Sequence, residues 1–233
     1  MKDKLFFIED DIRAREIEEE IKILELFSGT GSFTKVCKER GHNSFTIDNN
    51  KIHNPDLCID ILTFDLECFK YKPNIIWASP PCTSFSVASI GKHWFKDHTP
   101  KTEGAVLGLK LLEKTIKTIA ELKPTYWILE NPRGKMRKVI EPLFKKYGLD
   151  FKRETVSYCQ YGDTRQKPTD LWTNCYNWKP RPICKPGASC HIAAPRGSRT
   201  GTQGLKSNLE RSIIPRELCL EIIKACESGL NER

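Results

Sequence analysis

An α/β fold with a doubly wound, mostly parallel sheet is what this sequence predicts, on three observations. Apolar runs of strand length recur at Ile21 to Phe27, Phe45 to Asp48, Leu57 to Ile61, Ile75 to Ala78, Tyr126 to Leu129 and Glu154 to Tyr158. Helix-length stretches separate several of them, notably Phe33 to Arg40 and Gly104 to Leu122. Glycine- or proline-marked loops follow three of the strands directly. Strands alternating with helices imply parallel neighbours, and ligands of such sheets bind beyond the carboxyl ends of the strands.

Taken in order, a charged leader of helical character precedes Ile21 to Phe27. The turn Ser28-Gly29-Thr30-Gly31-Ser32 follows, then the first helix, stopped by Gly41. Two glycines there permit a tight reversal with close backbone approach to a ligand, although a bare Gly-x-Gly also serves plain turns. The next strand ends in Asp48, near the spacing at which an acid meets a ribose. Asp60 closes the Leu57 to Ile61 run. Ile75 to Ala78 is halted by Pro80 and Pro81, which present Cys82 at a strand end. Alone, such a thiol reads more often as a buried turn residue than as a nucleophile. Glu130-Asn131-Pro132 forms the loop after Tyr126 to Leu129. From Pro168 onward the texture changes, and residues 177 to 204 hold much of the Pro and Gly, as expected of an ordered binding loop or small irregular subdomain. Ile213 to Cys226, opened by Pro215, is the closing amphipathic helix.

The 233 residues suffice for one sizeable domain with a small appendage. The start is too acidic, and its apolar part too short, for a secretory signal, so a soluble cytoplasmic protein with no membrane partner is expected. Net charge is +8, from 38 Lys and Arg against 30 Asp and Glu, which permits a polyanionic partner without requiring one. Basic residues crowd Arg133 to Lys138 and Lys179 to Arg199. Ten cysteines scattered irregularly read as reduced thiols, many of them small buried hydrophobes.

Three loops in fixed order carry a resemblance: Phe27-Ser28-Gly29-Thr30-Gly31, Pro81-Cys82 and Glu130-Asn131. They resemble the cofactor, nucleophile and Glu-Asn loops of the DNA (cytosine carbon-5) methyltransferases, over about residues 21 to 175. The resemblance implies a Rossmann-like, class I S-adenosylmethionine-dependent fold. Its cofactor would be held by Phe27, Ser28, Gly29, Thr30 and Gly31, with Asp48 at the ribose, Asp60 at the adenine amino group, and Asn49, Ile61 and Pro81 at neighbouring positions. Cys82 would add to carbon 6 of cytosine, making carbon 5 enamine-like, because that carbon is otherwise too electron-poor to take a sulfonium methyl. Glu130 would hydrogen-bond the amino group and protonated N3. The substrate would be double-stranded DNA with the base extruded.

Cys159 to Trp172 resembles the family's Tyr-Gly-x-x-Gln-x-Arg-x-Arg segment, with departures. Lys167 stands at the first arginine, Thr169 at the second and Arg165 at the glutamine, so both Arg165 and Lys167 are carried as catalytic-side cations. The late Gly-Asn-x-Val-Pro element survives only as Arg211-Ser212-Ile213-Ile214-Pro215. The implied organisation is a leader over 1–20, a catalytic domain over 21–174, a short target-recognition region over 175–210 and a C-terminal helix over 211–233. Ser86, Arg196 and Arg199 are the expected nucleic-acid contacts. Cys175, Cys184, Cys190 and His191, with Cys159 nearby, are candidate ligands of a structural zinc that would staple a region too small for its own core, in a spacing that matches no standard finger.

Three other readings stay open on sequence. Ser79-Pro80-Pro81 also begins the Ser-Pro-Pro-aromatic motif of cytosine N4 methyltransferases, but Cys82 takes the aromatic's place and Phe85 comes too late. A tRNA cytosine is a second possible substrate. The third is a non-catalytic nucleic-acid-binding protein on a degenerate methyltransferase fold, which intact Cys82 and Glu130 argue against.

Overall fold

The structure, a computed structural model, describes residues 20–87, 89–185, 187–193, 205 and 207–232. The leader over 1–19 and both Arg196 and Arg199 lie outside the described residues. Seven strands form one sheet in the order β3-β2-β1-β4-β5-β7-β6. They are β1 (Lys22–Leu26), β2 (Asn43–Asp48), β3 (Leu57–Cys58), β4 (Ile75–Ala78), β5 (Tyr126–Pro132), β6 (Lys152–Ser157) and β7 (Pro168–Thr173). All neighbours pair in parallel except β7, which runs antiparallel to both β5 and β6.

The helices are α1 (Ser32–Glu39), α2 (Ile90–His93), α3 (Glu103–Leu122), α4 (Met136–Val139), α5 (Glu141–Lys146), α6 (Asn208–Ser212) and α7 (Arg216–Asn231). Successive strand residues point to opposite faces, so Ile23, Ile75, Trp77 and Ile128 join a core with Phe33 and Val36 of α1 and Leu218, Ile222 and Ile223 of α7. Leu24, Ile76, Ala78 and Leu129 join the opposite core with Leu112, Ile116 and Ile119 of α3 and Phe144 of α5. Both faces are covered, which is why these strands read as continuous apolar runs. Among the described residues no helix is long and apolar enough to cross a membrane.

Two expected boundaries are corrected, and one strand is added. The Leu57 to Ile61 run is a two-residue strand followed by a 3₁₀ turn over Ile61–Thr63, capped by the Asp60 carboxylate accepting from Leu62 N at 2.9 Å. Glu130 and Asn131 are not in a loop after β5 but inside it, opposite Leu171 and Asp170 of β7. That returning strand was hidden in Pro168-Thr169-Asp170-Leu171-Trp172-Thr173 by its proline and its acid. Asp170 is fully buried and is paired with Arg137 and with the Thr155 hydroxyl, so a strand position that looked polar is satisfied inside the protein.

Candidate active site

The loops at the carboxyl end of the sheet build one site. After β1 the chain reverses through three left-handed residues, Phe27 (φ 56°), Gly29 (φ 46°) and Gly31 (φ 64°). Glycine adopts that region freely, whereas Phe27 holds it at a cost of order 1–3 kcal/mol. Ser28 N donates to Ile47 O at 3.2 Å and Gly29 N to the Asp48 carboxylate at 2.9 Å, so the turn is bound to the end of β2. The other Asp48 oxygen accepts from Asn50 N at 2.8 Å. Asn49 and Asp60 are exposed beside it, while the Ile61 side chain is buried in the core and leaves only its backbone for a ligand.

The N-terminus of α1 faces the same turn. Gly31 carries no capping side chain. Instead Glu25, inside β1, accepts from Thr34 N at 2.9 Å and from Phe33 N at 3.4 Å. Burial pushes its carboxyl up to about 7, against those same hydrogen bonds. Thr30 and Ser32 share a hydroxyl–hydroxyl bond of 2.9 Å, and Ser32 Oγ accepts from Ile214 N at 3.2 Å. The late segment Arg211–Pro215 is thereby joined to the glycine turn.

Cys82 follows β4 on an anchored loop. Its carbonyl accepts from Phe85 N and Ser86 N, both at 2.9 Å. Phe85 is fully buried against Trp94, with ring centroids 5.6 Å apart. Asn131 Nδ2 donates to Pro80 O at 2.8 Å, bracing the proline pair from β5. The exposed Pro81 then leads to Cys82, which is half-buried. Ser86 sits on the same loop, its hydroxyl shared with Ser89 at 2.9 Å.

Glu130 is 6% exposed, and Tyr158 Oη donates to its carboxylate at 3.0 Å. Burial, and then the Glu130 charge, push the Cys82 thiol above its ordinary value, while Lys167 and Arg211 pull it down. Burial lowers the Lys167 ammonium, which Glu130 and Cys82 oppose. Lys167 Nζ donates to Arg211 O at 2.8 Å and lies 4.5 Å from the centroid of the Tyr158 ring.

The two carried cations separate here. Lys167 lies over the ring of Tyr158, the donor to Glu130, and its charge draws the Cys82 thiol down. Arg165 is 4% exposed, ion-paired with Asp163, and donates to the carbonyls of Glu210 (2.9 Å), Arg211 (3.1 Å) and Ile213 (2.9 Å), so it clamps the late segment. Sequence reading missed Tyr158, taken only as the end of a strand, and the bracing by Asn131. It also overcounted the basic run after β5, because Lys135 is buried against His98 at 2.7 Å and Arg137 is spent on Asp170.

The expected Cys/His cluster is corrected at one position. Cys175 is fully buried after β7, with its sulfur 3.8 Å from that of Cys226. Thr173 Oγ1 accepts from its N–H at 3.0 Å and turns it into the core shared with α7. Cys159 takes its place, its sulfur grouped with Cys184, Cys190 and His191 so that all four ligand atoms lie within 4.8 Å of one another.

A mostly parallel sheet with one reversed strand, a glycine turn after β1 and acids at the end of β2 and after β3 defines the class as a doubly wound, Rossmann-like fold whose ligand binds beyond the carboxyl ends of the strands. The sequence profile of the C-5 cytosine-specific DNA methylases matches residues 21–158, and the chain belongs to that family. It is 31% identical over 228 residues to the "Probable DNA (cytosine-5)-methyltransferase" of Frog virus 3 (isolate Goorha), across 88% of this chain and 100% of the relative. It is 29% identical over 128 residues to the type II methyltransferase M.SacI of Streptomyces achromogenes, across 51% of this chain and 31% of that protein. Spodoptera frugiperda DNMT2 superposes with a TM-score of 0.47 at 22% identity, over 70% of this chain and 53% of that one. The chain thus spans the viral relative in full but only about half of the insect structure. Its reaction is methyl transfer from S-adenosylmethionine to carbon 5 of cytosine in DNA, which sets aside the N4 and non-catalytic readings.

Proposed function

We propose that Cys82 is the nucleophile of this reaction, acting on an extruded cytosine of double-stranded DNA. The observation that carries the assignment is that Cys82 follows β4 while Glu130 stands in the neighbouring β5, held by the Tyr158 hydroxyl over whose ring the Lys167 ammonium lies. The thiolate adds to carbon 6, and the electron pair passes to carbon 5. Glu130, oriented by Tyr158, hydrogen-bonds the amino group and protonated N3 and so draws charge from the ring as it builds. Lys167 offsets the negative charge on sulfur before attack. Loss of the carbon 5 proton after methyl transfer expels Cys82 and restores the aromatic ring.

The turn Phe27 to Gly31, with Asp48, Asn49, Asp60, Ile61 and Pro81 around it, would hold S-adenosylmethionine, which supplies the methyl on a sulfonium sulfur. The residues fit the group. A side chain added at Gly31 would meet nothing within 4 Å, so the turn borders open space, and two acids stand at the ends of the neighbouring strands. Ser86 beside the nucleophile, together with Arg196 and Arg199, would contact the nucleic acid.

Substitution Cys82→Ser should reduce methyl transfer to background while leaving cofactor affinity and thermal unfolding within error. Duplex DNA carrying 5-fluorocytosine should trap the wild type as a covalent adduct only in the presence of S-adenosylmethionine, because fluorine cannot leave as a proton does. Full activity in the serine variant, or no adduct with the wild type, overturns the assignment. Equal activity on duplex, single-stranded and tRNA substrates would replace double-stranded DNA as the target.

A further inference from the structure

We propose that Cys159, Cys184, Cys190 and His191 bind one structural zinc ion, fastening the stretches 179–185 and 187–193 to the turn between β6 and β7. The ligand atoms come from three separate places: the 3₁₀ turn Tyr158–Tyr161, the extended stretch at Cys184, and the adjacent pair Cys190 and His191. Cys184 Sγ lies 3.2 Å from Cys190 Sγ and 3.4 Å from His191 Nδ1. Cys190 Sγ lies 3.6 Å from Cys159 Sγ and 3.8 Å from His191 Nδ1. A tetrahedral zinc, with bonds of about 2.3 Å to sulfur and about 2.0–2.1 Å to nitrogen, sets its ligands roughly 3.6–3.8 Å apart. Three thiolates and an imidazole are the soft donors that select zinc over magnesium or calcium.

A disulfide explains the cluster less well. The nearest sulfurs are 3.2 Å apart, against about 2.05 Å for a bond, and joining any two would leave a third thiol and the imidazole converging without purpose. The surroundings are those of a ligand shell. Gln160 Nε2 donates to Cys190 Sγ at 3.3 Å, Cys184 N donates to Ser157 Oγ at 3.1 Å, and Gln166 Nε2 donates to Cys184 O at 3.1 Å.

The segment needs such a fastening. Ile183 is 57% and Ile192 62% exposed, so its aliphatic side chains do little to hold it by burial. The consequence reaches the catalytic pocket, since Cys159 follows Tyr158, the donor to Glu130. The ion would hold that turn and the segment together.

Metal analysis of protein purified without chelator should give one zinc per chain. Cobalt exchanged for zinc should show the visible bands of a tetrahedral thiolate complex. Cys190→Ser and Cys184→Ser should lose the metal. His191→Cys should keep it as a four-thiolate site, and Cys175→Ser, which alters a cysteine buried elsewhere, should also keep it. Chelation should open 179–193 to protease before the rest of the chain is cut. Absence of zinc together with no cobalt bands, a full equivalent of zinc in Cys190→Ser, or a Cys184–Cys190 disulfide in protein kept under reductant would each overturn the proposal. Because these readouts need no DNA, a dead enzyme with zinc and an active one without it are distinguishable.

Discussion

Glu25 shows how much a single residue can carry in this fold. It sits inside β1, 2% exposed, yet it supplies the cap that the glycine turn cannot offer to α1. Its carboxyl titrates near 7 rather than 4.5 because burial outweighs the two N–H donors. The folded state therefore keeps a proton that the unfolded chain has released. Below about 4.5 the group is protonated in both states, and its stability contribution is fully present; that contribution is lost as pH rises toward 7. At ~1.4 kcal/mol per pH unit, the loss by pH 8 is about 3 kcal/mol. Urea unfolding between pH 5 and 8 should show stability falling with pH, and Glu25→Gln should flatten that slope. A parallel slope in the variant would assign the titration to another group.

At the scale of elements, the site depends on β5 and the nucleophile loop touching through a glycine. Ser86 bridges to Gly134, and Lys135 N donates to Phe85 O at 2.8 Å. A Cβ at Gly134 would stand 2.2 Å from that carbonyl oxygen, which is backbone and has no rotamer to yield. Gly134→Ala should then push back the turn whose N–H groups hold the Cys82 carbonyl. We expect a stability loss of ~1–3 kcal/mol, typical of overpacking, with kcat falling further than cofactor affinity. Unchanged kcat would mean that this contact does not position Cys82. The same scale shows where legibility ended. β1, β4 and most of β5 were readable because both faces are covered and their residues run apolar. β7 was not, because its polarity is satisfied by Arg137 and Thr155, distant in sequence and unknowable from a local window.

Across the whole molecule, charge is distributed more economically than the +8 total suggests. Arg137, Lys135 and Arg165 are committed internally, and Arg40 with Arg216 links α1 and its flank to α7 through Glu227 and Glu39. The basic stretch containing Arg196 and Arg199, which lies outside the described residues, is the proposed nucleic-acid contact. Replacing both by alanine should weaken DNA binding and flatten the slope of log affinity against log salt by up to ~1.8, if each neutralises a phosphate. Calorimetric affinity for S-adenosylmethionine should be unchanged. An unaltered salt slope would remove these arginines from the interface.

The sequence by itself determined the order of the functional segments and the α/β class. These are local facts, written as short apolar runs ended by Gly, Pro, Cys or Glu. Only the tertiary structure decided that Lys167 lies over the Tyr158 ring while Arg165 clamps the late segment, that Tyr158 donates to Glu130, and that Cys159 rather than Cys175 joins Cys184, Cys190 and His191. Each of those choices turns on which way one side chain points after a strand has paired. Pairing with β7, and closure of the late segment by Arg165, are interactions between distant residues that no periodicity records.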